Sequence, residues 1–157
     1  RILSLPQEQE SVLACVLDER NNQSLTLVTA RPDSAPKRDP GLMTRVLLVE
    51  DDEVTRWMVR RTLKEDCFLA TASCVRKAIA SFTAFEPELT FLDLNLPDGH
   101  GLEVLEYIMA HDPGARVVIF SGEQDHAIHD KALKMGAIGF INKPFLKEKL
   151  LSFIKMV

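Results

Sequence analysis

The sequence predicts an α/β protein built on a doubly wound, five-stranded parallel sheet with helices on both faces. Three observations point there. Between residues 44 and 157, apolar runs of strand length alternate five times with segments whose apolar residues recur at helical spacing. The runs are continuously apolar rather than alternating, as expected of strands buried on both faces. Charged residues follow three of the five runs and Ser121 ends a fourth, while the second ends in residues 71–73 with no charge, and open α/β sheets place their sites at the carboxyl ends of strands.

The elements follow in order. Val46–Val49 is the first strand, and Val54, Met58, Val59 and Leu63 are spaced as a helix. "FLATA" (68–72) is a weaker strand, followed by a helix face of Val75, Ile79 and Phe82. "LTFLD" (89–93) is the third strand. Leu102, Leu105 and Met109 then mark a helix that "HDPG" ends. "RVVIFS" (116–121) precedes a helix of Ile128, Ala132 and Met135, stopped by Gly136. "AIGFI" (137–141) is the last strand, and Leu150, Phe153, Ile154 and Val157 form the final apolar stripe. Right-handed crossovers wind such units onto both faces.

Residues 31–42, with Pro32, Pro36 and Pro40 among mixed charges, have linker composition. Before them, "SVLACVLDE" and "SLTLVTA" flank "RNNQ" and predict a hairpin. A lone hairpin is marginal in water and must pack on something else. Residues 1–42 therefore read as an N-terminal extension or the remnant of a preceding domain, with the main domain at 43–157.

The net charge of −4 gives no footprint for nucleic acid, which needs a basic excess. No apolar run is long enough to span a membrane, and no signal-peptide pattern opens the chain. Cys15, Cys67 and Cys74 lack metal spacing, and their odd number fits reduced thiols and the cytoplasm.

The chemistry is concentrated at the strand ends. Glu50 and Asp51 follow the first strand, Asp93 ends the third, Ser121 the fourth, and Lys143 stands just past the fifth. Three converging carboxylates need cations to stay ionised. An all-oxygen set suits a hard divalent ion such as Mg²⁺. An aspartate beside Mg²⁺ and an ammonium is a candidate nucleophile for a phosphoryl group.

"VLLVEDDE", "LTFLDLNLPDGHG", "VVIFSGE" and "GFINKPF" together resemble the signature segments of response regulator receiver domains. The resemblance implies a flavodoxin-like sheet of order 2-1-3-4-5. It implies that Asp93 is the phosphoacceptor of a two-component phosphorelay and that Mg²⁺ is its cofactor. Asp51 would be a direct metal ligand, Glu50 would act mainly through water, and the backbone carbonyl of Asn95 would be a further ligand. Ser121 and Lys143 would contact the phosphoryl group, and Lys143–Pro144 would be a cis peptide. Phe140 stands at the family's aromatic switch position, where it cannot donate a hydrogen bond. Asn95 and Glu123 would tune dephosphorylation, and their polarity resembles the short-lived members. The implied partners are a histidine kinase or phosphotransfer protein and a downstream protein target, with recognition around Thr55, Arg56 and Val59. The chain would be a stand-alone receiver, or a receiver fragment of a larger hybrid kinase or regulator.

Other residues carry less. Asp52 and Glu53 read as a helix cap and first-turn acid. "PDGHG" (97–101) reads as a tight turn, and His100 and His111 as loop and helix-end residues. His126 and His129, at i and i+3, lack a third ligand and read as a solvated helix face. Trp57 reads as partial packing on the first helix. The competing function is an aspartyl-phosphate phosphohydrolase, which needs a second acid two residues after its nucleophile; Asn95 stands there. A nucleotide-binding fold would need a Gly-rich loop after the first strand, where this chain has acids.

Overall fold

A computed structural model describes residues 43–122 and 124–157 and, before them, the backbone of two short strands. Those two, Cys15–Leu17 and Leu25–Leu27, pair antiparallel with Cys15 opposite Leu27, as the hairpin reading expects. Cα atoms of Cys15–Leu17 lie within 8 Å of the Phe68–Ala72 strand of the main sheet.

The main sheet comprises β1 (Arg45–Val49), β2 (Phe68–Ala72), β3 (Leu89–Leu92), β4 (Val117–Ser121) and β5 (Gly139–Asn142). All pairings are parallel and the order is β2-β1-β3-β4-β5, the predicted 2-1-3-4-5. The intervening helices are α1 (Glu53–Leu63), α2 (Val75–Phe85), α3 (Gly101–His111), α4 (His126–Met135) and α5 (Lys147–Ile154). No helix among the described residues is long and apolar enough to cross a membrane.

Side chains alternate across the pleat, so each strand feeds two cores. Leu47, Val49, Leu92, Val117 and Ile119 pack with Val75 and Ala78 of α2, Val104, Leu105 and Ile108 of α3, and Ala132 of α4. Val46, Leu48, Phe91, Val118 and Phe120 pack with Val59 and Leu63 of α1 and Leu150 and Ile154 of α5. Each fully buried Leu or Phe contributes about 1.5–3 kcal/mol of transfer free energy.

The predicted face of α1 is only half right. Val59 and Leu63 are fully buried, whereas Val54 and Met58 are 63% and 46% exposed. At about 100° per residue, Val54 lies roughly 140° round the helix from Val59, so both cannot face the sheet. Val59 therefore belongs to the core and cannot serve on an exposed recognition face. Trp57 is likewise exposed, with the Arg61 guanidinium 5.4 Å from its ring centroid.

Candidate functional site: an acidic rim at the strand ends

The parallel ladder continues one residue past the strands and aims the site residues. The Glu50 N–H donates to the Ala72 carbonyl (2.9 Å) and the Asp93 N–H to the Val49 carbonyl (2.9 Å). The Lys143 N–H donates to the Ser121 carbonyl (3.2 Å), beside the cis Lys143–Pro144 peptide. Residues from β1, β3, β4 and β5 thus meet at one rim.

Ligand oxygens of Glu50, Asp51 and Asp93 lie within 4.8 Å of one another. Glu50 is fully buried, Asp93 is 4% exposed, and Asp51 is open to solvent. Lys143 Nζ lies 2.9 Å from Asp93 Oδ2 and forms an ion pair with Glu50 Oε2 as well. Burial pushes the Glu50 carboxyl from 4.5 up to about 7; Lys143 and the Asp52 N–H pull it down, and the Asp93 charge adds to the rise. Burial alone would lower the Lys143 ammonium, but its two carboxylate partners outweigh that and raise it. One ammonium faces three carboxylates, all ligand atoms are oxygen, and one acid remains open. That donor set fits a hard divalent cation.

The other expected residues fall nearby. Ser121 ends β4, buried and opposite Asn142 of β5. The Asn95 N–H lies 3.3 Å from Asp93 Oδ1. Phe140 on β5 stacks on His129 of α4, with ring centroids 4.2 Å apart. Glu123 lies outside the described residues.

Several contacts were not legible in the sequence. Arg56 Nη1 donates to the carbonyls of Glu50 (2.9 Å) and Asp51 (2.7 Å), clamping the acidic turn. "PDGHG" is more than a turn: Asn95–Leu96 pairs antiparallel with Gly99–His100. His100 caps α3, accepting from the Leu102 N–H at Nδ1, while Glu103 accepts from the His100 N–H. Glu103 at the third helical position was the available signal, but histidine is outside the usual cap residues. A Cβ at Gly101 would strike the Asp93 carbonyl oxygen and sit 2.7 Å from Leu94 Cα, so glycine is required there. Asp52 caps α1 as expected, accepting from the Thr55 N–H (2.7 Å) and hydroxyl (2.6 Å). His126 and His129 gain no third ligand among the described residues; the acidic rim is the one cluster of metal-ligating side chains there.

A five-stranded parallel sheet with buried acids and a lysine at its carboxyl rim fits a receiver-type signalling domain better than a dinucleotide-binding one. The response regulator receiver domain model matches residues 46–155, and the chain belongs to that family. Over 115 residues it is 32% identical to the chemotaxis protein CheY of Listeria monocytogenes, covering 72% of this chain and 97% of that protein. It is 31% identical over 114 residues to the cell cycle transcriptional regulator CtrA of Caulobacter vibrioides, covering 72% of this chain and 49% of CtrA. Among solved structures, a CheY-like receiver domain protein of Methanospirillum hungatei superposes with a TM-score of 0.69 at 27% identity, covering 73% of this chain and 92% of that one. The response regulator domain of Thermotoga maritima CheB superposes with a TM-score of 0.66 at 26% identity, covering 73% and 95%. Receiver domains are signalling proteins that bind Mg²⁺ at an acidic pocket and interact with histidine kinases and downstream effectors, and an acidic cluster of that kind is present here.

Proposed function

We propose that Asp93 accepts a phosphoryl group from a phosphohistidine on a histidine kinase or phosphotransfer protein. The observation that carries this is the nearly buried Asp93 carboxylate, 2.9 Å from Lys143 Nζ and grouped with Glu50 and Asp51. An Asp93 oxygen attacks phosphorus, the P–N bond breaks, and the imidazole leaves with the electron pair. Lys143 then moves its charge from carboxylate to phosphoryl oxygen, and the Ser121 hydroxyl donates to another. Asp51, Asp93, the Asn95 carbonyl and, through water, Glu50 would hold Mg²⁺. The bound ion supplies positive charge for the phosphoryl oxygens. Water later returns Asp93 and inorganic phosphate, at a rate tuned by Asn95 and Glu123, so the chain phosphorylates and dephosphorylates itself without turning over another substrate.

The charge change is read out by a protein target at the α4–β5 face through Ser121 and Phe140. The receiver unit spans residues 43–157 and works in the cytoplasm, with residues 1–42 an extension or part of a preceding domain. Incubation with a small phosphodonor or with beryllofluoride plus Mg²⁺ tests the reading. Intact mass should rise for the wild-type chain and not for Asp93→Ala; equal rises in both would overturn it.

A further inference from the structure

The start of α2 is capped from a distance. Cys74 stands at its N-cap without a side-chain hydrogen bond to the helix backbone. Instead Asp98, 23 residues further on, accepts from the Val75 N–H at Oδ1 (2.6 Å) and from the Arg76 N–H at Oδ2 (3.1 Å). Asp98 sits at the tip of the small hairpin between β3 and α3, in the loop that carries Asn95. That loop is pinned at its far end by the Gly101 N–H on the Leu94 carbonyl (2.7 Å) and by the His100 cap. At its tip the tie is Asp98. Desolvation works to raise the Asp98 carboxyl, but the Arg76 and Val75 N–H groups and the Cys74 thiol outweigh it and lower it, which marks a carboxylate held ionised by its donors.

We propose that Asp98 is a positioning residue for the phosphoacceptor loop: by fastening the hairpin tip to the N-terminus of α2, it fixes Asn95 beside Asp93 and makes the cation affinity of the rim depend on α2. The inference rests on the reading of that rim as a Mg²⁺-dependent phosphoacceptor site. Supports one step removed from a metal commonly change its affinity by about tenfold or more.

The alternative, that Asp98 merely caps a helix, is separable because the missing cap can be restored locally. Serine is a favoured N-cap residue, so Cys74→Ser, combined with Asp98→Ala, supplies an acceptor to α2 without restoring the tie to the hairpin. The full chain is compared as wild type, Asp98→Ala, Asp98→Asn and the double variant Cys74→Ser/Asp98→Ala. Mg²⁺ affinity is read by calorimetry, Tm by thermal unfolding, and beryllofluoride uptake by fluorine NMR. Salt is held at about 0.5 M, where the Debye length is only a few ångström and bare charge effects are screened. Asp98→Ala should weaken Mg²⁺ binding about tenfold and lower Tm by about 3 °C. Asp98→Asn, which keeps one acceptor oxygen, should fall between. The double variant should regain Tm but not Mg²⁺ affinity. Recovery of both together, or unchanged affinity in Asp98→Ala, overturns the proposal while leaving the phosphoacceptor site standing. A wild-type chain that took up neither Mg²⁺ nor beryllofluoride would overturn both.

Discussion

The two rims of the sheet carry similar residue types and differ in how they hold them. At the carboxyl ends, three carboxylates crowd round one ammonium, and Glu50, Asp93 and Ser121 are buried. At the amino ends, an open cleft of about 570 Å³ is lined by Arg45, Glu86, Glu88, His111, Asp112 and Arg116. There Glu88 accepts from the Arg45 N–H (3.0 Å) and the Glu86 carbonyl from the Arg45 guanidinium (3.0 Å). Charge at the amino rim is mixed in sign and largely solvated. At the carboxyl rim Glu50 and Asp93 are buried and the charge is mostly of one sign, a state that folding alone does not favour. Burial with imbalance, rather than charge as such, distinguishes the carboxyl rim.

The largest expected break in that contrast is Lys143→Met. It leaves Glu50 and Asp93 without their ammonium. Phosphoryl uptake from a small donor should fall on the order of a hundredfold. Stability in urea, without Mg²⁺, should drop by about 3 kcal/mol. Uptake at the wild-type rate would show that the lysine is only a surface charge.

An effect smaller per pH unit belongs to Cys67, just before β2 at the amino rim. Burial, with a lesser contribution from the Asp66 charge, pushes its thiol from 9.0 up to about 12. Between those values the unfolded chain has released the thiol proton and the folded chain has kept it. Folding stability must therefore fall as pH rises through this window, by up to about 1.4 kcal/mol per pH unit from this group. Cys67→Ala should flatten the alkaline slope of stability against pH, measured by urea unfolding; an unchanged slope would place the loss elsewhere.

The smallest effect is expected for Arg45→Met. Its side-chain hydrogen bond is solvent-exposed and its backbone one survives the substitution, so the cost should stay below about 1 kcal/mol, with phosphoryl uptake unchanged. A loss of uptake would mean that the two rims are coupled through β1.

What could be read from the sequence divides along the same physical line. Strand ends are local: an apolar run followed by an acid, a hydroxyl or a lysine shows where each site residue stands, and the sheet rule brings Glu50, Asp51, Asp93, Ser121 and Lys143 together. Helix faces were less legible, because a short apolar set fits more than one face; the exposure of Val54 and Met58 and the burial of Val59 are examples. Long-range polar ties were not legible at all. No spacing rule joins Asp98 to Val75, and none stacks His129 on Phe140.

Gly101 carries one further consequence. With no room for a Cβ, the first turn of α3 rests directly on the backbone of Asp93, and α3 buries Gly101, Val104, Leu105 and Ile108. On the far side of the site, α4 buries Ala132 alone. The rim therefore behaves like a vice with one fixed jaw and one compliant jaw. Were Asp93 to gain charge as proposed, α3 would be the stiffer wall, and α4, with the fewest buried residues, would be the helix easiest to rearrange.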